Sequence, residues 1–151
     1  MRRSGNITLD LDRVVTVEAW IKPDRAQESY NGMFGNLVHS AHRSGEAYQG
    51  FALGIDNQGI WFVTGINGNR TMISAPVVLP TDRFTHVAAT YDGQHLRVYV
   101  DGEQMGEQAA PGALTRITDP SSALTVGADR NGLNGFIGAI DEVRISSVAR
   151  Y

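Results

Sequence analysis

The sequence predicts an all-β chain folded as a two-sheet antiparallel β-sandwich, and three observations carry that expectation. Its apolar runs are short, rich in β-branched and aromatic residues, and have period two or strand length, while helical periodicity is nearly absent. Seventeen glycines against five prolines supply many tight turns. Turn signals fall between the apolar runs at strand-length intervals. About ten strands are more than one open sheet comfortably holds, so two stacked sheets follow.

In chain order, 6–11 is a short opening strand and 14–22 the first strong one. Within it Val15, Val17, Ala19 and Ile21 alternate with Thr16, Glu18, Trp20 and Lys22, which sends the first set to the core. Strands 34–39 and 50–55 flank a polar stretch, 40–49, read as a loop. Strand 59–64 follows the tight loop Asp56-Asn57-Gln58-Gly59, and Asn67-Gly68-Asn69 leads into 70–76. Strands 85–91 and 95–100 are bounded by Asp92-Gly93 and Asp101-Gly102. A type I′ turn needs positive φ at both central residues, which Asp-Gly tolerates, so both pairs have a structural reason to be there. In 95–100, Leu96, Val98 and Val100 face one side and His95, Arg97 and Tyr99 the other. The last strands are 123–128 and 136–145, with 136–140 expected to run back antiparallel beside 123–128.

At 151 residues the chain is one domain, large enough to bury a core without disulfides or a structural metal, and it has no cysteine. A net charge of −3 gives no basic face for nucleic acid. No apolar run approaches the roughly 18–20 residues that a helix needs to span a bilayer. The opening MRRSGNITLD has two arginines but no apolar run behind them, so it does not read as a secretory signal. The longest polar insertions before residue 100, 24–32 and 40–49, are where binding specificity is expected.

Three segments, VTVEAWIKPD, RFTHVAATYDGQHLRVYVDGE and LTVGADRNGLNGFIGAIDEVRISSVAR, occur in order along most of the chain. Together they resemble the signature segments of laminin-G-like, concanavalin A-like jelly-roll domains. Phe84 stands where that family usually has Trp, and 138–145 supplies the terminal G-x-I-D-E-V-R-I strand. The resemblance implies a jelly roll excised from a longer extracellular or cell-surface protein. It also implies a fold that hosts lectins, hydrolases and adhesion modules alike. Two departures are visible: SGNITLDLD replaces the family's usual first strand, and the chain stops at SSVARY.

Glycoside hydrolases of the related fold carry Glu-x-Asp-x-x-Glu on one strand, because retaining chemistry needs two carboxyls about 5 Å apart. No such triplet occurs here. Asp141 and Glu142 are adjacent and would point to opposite faces of a regular strand. The four histidines, His39, His42, His86 and His95, lack the third ligand or the nucleophile that metal or triad chemistry needs. No catalytic residue is therefore assigned. Many members of the family hold Ca²⁺ at the sandwich rim. Asp129, Asn131, Asn134 and Asp141 are the hard-oxygen candidates here, although Asp141 would meet the Asp129 loop only if the final strand bulges, and Asp10 or Asp12 is an equal partner for it. For sugar stacking the aromatic candidates are Trp20, Trp61, Tyr30, Tyr48 and Tyr99. Trp20 is assigned to the core, and Tyr30 and Tyr48, in polar loops beside His42 and Arg43, to the ligand site.

The expected function is a non-catalytic binding or adhesion module with carbohydrate or glycoprotein as ligand. The alternative is a protein-interaction or structural module without a sugar site, and a glycoside hydrolase ranks below both.

Overall fold

The computed structural model describes residues 13–27, 35–118 and 124–151. The expected strand 6–11, Asp10, Asp12, Tyr30 and most of the 24–32 loop lie outside those residues. The described chain forms β1 (Val15–Pro23), β2 (Asn36–Ser44), β3 (Ala47–Asp56), β4 (Gly59–Ile66), β5 (Asn69–Ala75), β6 (Thr85–Tyr91), β7 (His95–Val100), β8 (Glu103–Ala109), β9 (Thr125–Val126) and β10 (Gly138–Ser146). No helix occurs among the described residues, and none is long and apolar enough to cross a membrane. A first sheet has the order β10-β1-β6-β7-β8 and a second the order β5-β4-β3-β2-β9. All strand pairs are antiparallel.

The core lies between the sheets. Val15, Val17, Ala19 and Ile21 of β1 and Val87, Ala89 and Tyr91 of β6 belong to the same buried cluster as Phe51, Leu53 and Ile55 of β3 and Ile60 and Phe62 of β4. Each large side chain so buried contributes about 1.5–3 kcal/mol relative to exposure. Tyr91 has no exposed surface, and its hydroxyl approaches the carbonyls of both Ala110 and Gly112, at 2.8 and 2.7 Å. A second, smaller cluster of Ala41, Tyr48, Ala52, Trp61 and Val63 lies on the opposite face of the second sheet. There Trp61 crosses Gly54 so closely that a Cβ at Gly54 would lie 2.0 Å from the Trp61 Cζ2.

Several expectations need correction. Trp20 is not core: it shares the outward parity of Glu18 and Lys22, is 40% exposed, and stands edge-on to His86 at 5.2 Å between ring centroids. The polar stretch 40–49 is not a loop. Its residues are the ends of β2 and β3, joined at Gly45-Glu46, because Ser44 pairs with Ala47. Asp101-Gly102 and Asn67-Gly68 have positive φ at both residues, as a type I′ turn requires, but at Asp92-Gly93 only Gly93 does. Asp92 instead caps its turn, its Oδ1 accepting from the Gln94 and His95 N–H groups at 2.8 and 2.7 Å. Among the described residues the runs 124–128 and 136–140 form no ladder with each other, although the Phe136 N–H donates to the Gly127 carbonyl at 3.1 Å; β9 joins β2 and β10 joins β1, in different sheets. β8 was not expected at all.

Candidate functional site

Three of the four residues assigned to ligand binding come together at one end of the second sheet. Arg43 of β2 is the register partner of Tyr48 on β3, and His42 that of Gln49. Directly paired antiparallel residues share a face with their Cβ atoms about 4.5–5.5 Å apart, so Arg43 lies beside the Tyr48 ring. Among the described residues β9 pairs with Val38 and His39 of β2. Into this region reaches Arg130, from the 128–135 loop, its Nη1 touching His42 Nδ1. On the other side Arg70 of β5 lies over the Tyr48 ring, 6.0 Å from its centroid.

The Tyr48 ring is mostly buried, not the exposed stacking platform a loop position would have given it. Burial raises its phenol pKa, while the Arg70 and Arg43 guanidiniums pull it back. Arg43, Arg70 and Arg130 are all exposed. Deeper on β2, His39 is buried and its Nδ1 has no hydrogen-bond partner. Burial lowers the His39 pKa and outweighs the nearby Asp129 carboxylate, with Arg130 acting in the same direction as burial. What this end of the sheet offers is the Arg43 and Arg70 guanidiniums about a fixed ring, with the His42 imidazole and Arg130 on the other parity of β2, groups suited to binding oxygen-rich ligands.

Of the residues assigned to calcium, Asp129, Asn131 and Asn134 are bonded together within one loop, and Asp141 lies on β10. Asp129 Oδ1 accepts from the N–H groups of Asn131 and Leu133, both at 2.9 Å, and its Oδ2 accepts from the Asn134 amide at 2.8 Å. Burial opposes the charge on Asp129, but these donors hold its carboxyl below the usual range. The final strand does bulge, with Glu142 at φ 49° and a register shift opposite Glu18/Trp20, yet exposed Asp141 pairs in register with Trp20 on the first sheet. Its Oδ1 accepts from the Glu142 N–H at 2.8 Å. Among the described residues no group of three His, Asp or Glu side chains is placed to hold a metal, so a calcium site here would draw on Asn and backbone carbonyl oxygens as well.

A separate cluster lies on the outer face of the first sheet, where Glu18 Oε2 is buried without a hydrogen-bond partner and is met only by the Arg150 charge. Glu18, the one buried carboxylate among the described residues, lies 3.3 Å from both His86 Nε2 and the Tyr151 hydroxyl, and 3.4 Å from Arg150 Nε. Thr16 Oγ1 donates to the Val148 carbonyl at 2.6 Å, so the 148–151 segment is tied across the sheet. Sequence reasoning passed over Arg70 and Arg130. Arg70 sat in a strand read only for its turn, and Arg130 in a loop read only for its oxygen donors; the charge of each was the available signal.

The concanavalin A-like lectin/glucanases superfamily, in its laminin-G form, matches residues 3–151. No curated protein matches the chain. Domain 4 of an extracellular arabinanase from Geobacillus stearothermophilus, solved with arabinotriose, is similar at TM-score 0.61 and 17% identity, over 91% of this chain and 62% of that one. The CBM40 of the Ruminococcus gnavus IT-sialidase, bound to α2,3-sialyllactose, is similar at TM-score 0.64 and 12% identity, over 92% and 78%. Mouse laminin α1 domains LG4-5 are similar at TM-score 0.66 and 17% identity, over 94% and 38%. The chain thus spans less than two thirds of the arabinanase and laminin chains, and at such identities the likeness is one of fold. With the family matched over almost its whole length and both antiparallel sheets in place, the chain belongs to the concanavalin A-like lectin/glucanase superfamily.

Proposed function

We propose that this domain is a non-catalytic carbohydrate-binding module of a longer extracellular protein, and that it binds glycan at the end of the second sheet formed by β2, β3, β5 and the 128–135 loop. The observation that carries the site is the placing of Arg43 and Arg70, from β2 and β5, about the Tyr48 ring of β3, with the His42–Arg130 contact at the same strand end on the other parity of β2. Such convergence of polar groups around an aromatic ring is the usual make-up of a small-molecule site. The similar solved domains support the binding role: one is described as a carbohydrate-binding module and another was solved with arabinotriose. The extracellular setting rests on the arabinanase, which is described as extracellular. A non-catalytic role accords with Glu18, whose carboxylate is engaged by His86, Tyr151 and Arg150. Screening the domain against a broad glycan array tests the reading. Binding that is lost in Arg43→Ala supports it. Binding to no glycan, with retention of a protein partner, would favour the interaction-module alternative.

A further inference from the structure

We propose that Asn131 is a site of spontaneous covalent modification, at which the Gly132 backbone nitrogen attacks the Asn131 carboxamide and converts the residue to aspartate and isoaspartate. In that step Gly132 N bonds to Asn131 Cγ, the Cγ–Nδ2 bond breaks and ammonia leaves, which closes a cyclic imide. Water then adds to either imide carbonyl and reopens the ring, so solvent is the only co-reactant. A glycine after the asparagine favours the attack, because it has no Cβ to crowd the approach and the backbone freedom to close the ring. Three Asn-Gly pairs lie among the described residues, Asn67-Gly68, Asn131-Gly132 and Asn134-Gly135, while Asn31-Gly32 lies outside them.

The fold locks two of these pairs. Asn67 Oδ1 accepts from the Ala113 N–H at 3.0 Å and the Gly68 N–H donates to Thr115 Oγ1 at 2.7 Å, so both the carboxamide and the attacking nitrogen are held. Asn134 Nδ2 donates to Asp129 Oδ2 at 2.8 Å, and the Asn134 carbonyl accepts from the N–H and the Nδ2 of buried Asn36 at 3.0 and 2.9 Å. Gly135 is packed so closely that a Cβ there would lie 2.4 Å from the Gly127 carbonyl oxygen. Asn131 differs: it is exposed, and its carboxamide makes no hydrogen bond. Gly132 is exposed too, with φ 74° and nothing within 4 Å of the place a Cβ would take. What restrains the attack is one bond in an exposed turn, from the Gly132 N–H to the Asp129 carbonyl at 2.9 Å. Conversion would replace a neutral amide by a carboxylate beside Arg130, whose guanidinium touches His42. Isoaspartate would also add a methylene to the main chain between Asp129 and Leu133, the span that the Asp129 Oδ1 bond to the Leu133 N–H closes.

The test is peptide mapping by mass spectrometry of the folded domain, held in warm, mildly alkaline buffer and sampled over weeks. Asn131 should be converted about fivefold or more faster than Asn67 and Asn134, the factor that one ordinary hydrogen bond supplies, with isoaspartate among the products. In denaturant the three pairs should convert at similar rates, because the difference between them is made by the fold. Gly132→Ala, whose Cβ meets no neighbour, should slow conversion at Asn131 by about tenfold, and a melting curve of the variant checks that it is folded. Conversion of Asn67 or Asn134 in the folded domain as fast as that of Asn131 overturns the proposal. So does an Asn131 that folding slows as much as it slows the other two, or one that a folded Gly132→Ala variant converts at the parent's rate.

Discussion

Replacing Asp92 by asparagine should remove a pH-dependent increment of stability whose size can be worked from the structure. Burial disfavours the Asp92 charge, but the Arg97 side chain at 2.6 Å and the His95 and Gln94 N–H groups outweigh it, lowering its pKa from 3.8 to about 2. At about 1.4 kcal/mol per pKa unit, that shift corresponds to roughly 2 kcal/mol. With 27% of the Asp92 side chain exposed, solvent screening trims the expected effect to about 1–2 kcal/mol. Because the folded value is depressed, the stabilisation is full above the unfolded pKa of 3.8 and disappears as pH falls through about 2. The carbonyl oxygen of the introduced amide can still accept from the two backbone N–H groups, so the variant isolates the charge. Urea unfolding followed by circular dichroism, from neutral pH down to about 2, should show the parent more stable than Asp92→Asn at neutral pH and the difference closing below pH 3.8. A variant as stable as the parent at neutral pH, or a difference that does not change on acidification, would refute the reasoning.

Two glycines separate packing from backbone strain. Gly54→Ala drives a Cβ into Trp61 and should cost about 1–3 kcal/mol or more, whereas Gly102→Val, with φ 80° and nothing within 4 Å of the new Cβ, should cost only about 1 kcal/mol; thermal melts of both variants check the order. Tyr91→Phe leaves the core ring but strips the partner of the Ala110 and Gly112 carbonyls, and denaturant unfolding should show a loss of about 1–2 kcal/mol. Since the Asp129 carboxylate is taken up by its own loop, the melting temperature should be the same in chelator and in millimolar Ca²⁺. A rise on adding calcium would mean that a donor set including residues such as Asp10 or Asp12 assembles after all.

How far the sequence can be read depends on how each strand is buried. β1, β6 and β7 each send an apolar set inward, and their alternation was plain in VTVEAWI, THVAATY and HLRVYV. β8, EQMGEQA, is an edge strand with both faces largely exposed, so it has no hydrophobic alternation to detect. The ends of β2 and β3 looked like a loop because HRS is polar and Arg43 and Ser44 are exposed, while Gln49 of AYQ is polar yet buried, so neither end shows a hydrophobic alternation. Trp20 was misplaced by giving its position in a signature strand more weight than its parity with Glu18 and Lys22. At the candidate site, Tyr48, His42 and Arg43 were legible because they lie within seven residues of one another. Arg70 and Arg130 were not, because only the β3–β4–β5 pairing and the crossing between sheets bring them to the same end.

Amide chemical-shift mapping of the isotope-labelled domain, titrated with a glycan that the array shows to bind, addresses the central claim most directly, because it reports where the glycan binds as well as whether it does. The account predicts shifts confined to the ends of β2 and β3, the start of β5 and the 128–135 loop, with Arg43, Tyr48, Arg70 and Arg130 among the most affected and the indole N–H of Trp20 unmoved. Saturable shifts centred instead on Trp20 and His86, on the outer face of the first sheet, would contradict it.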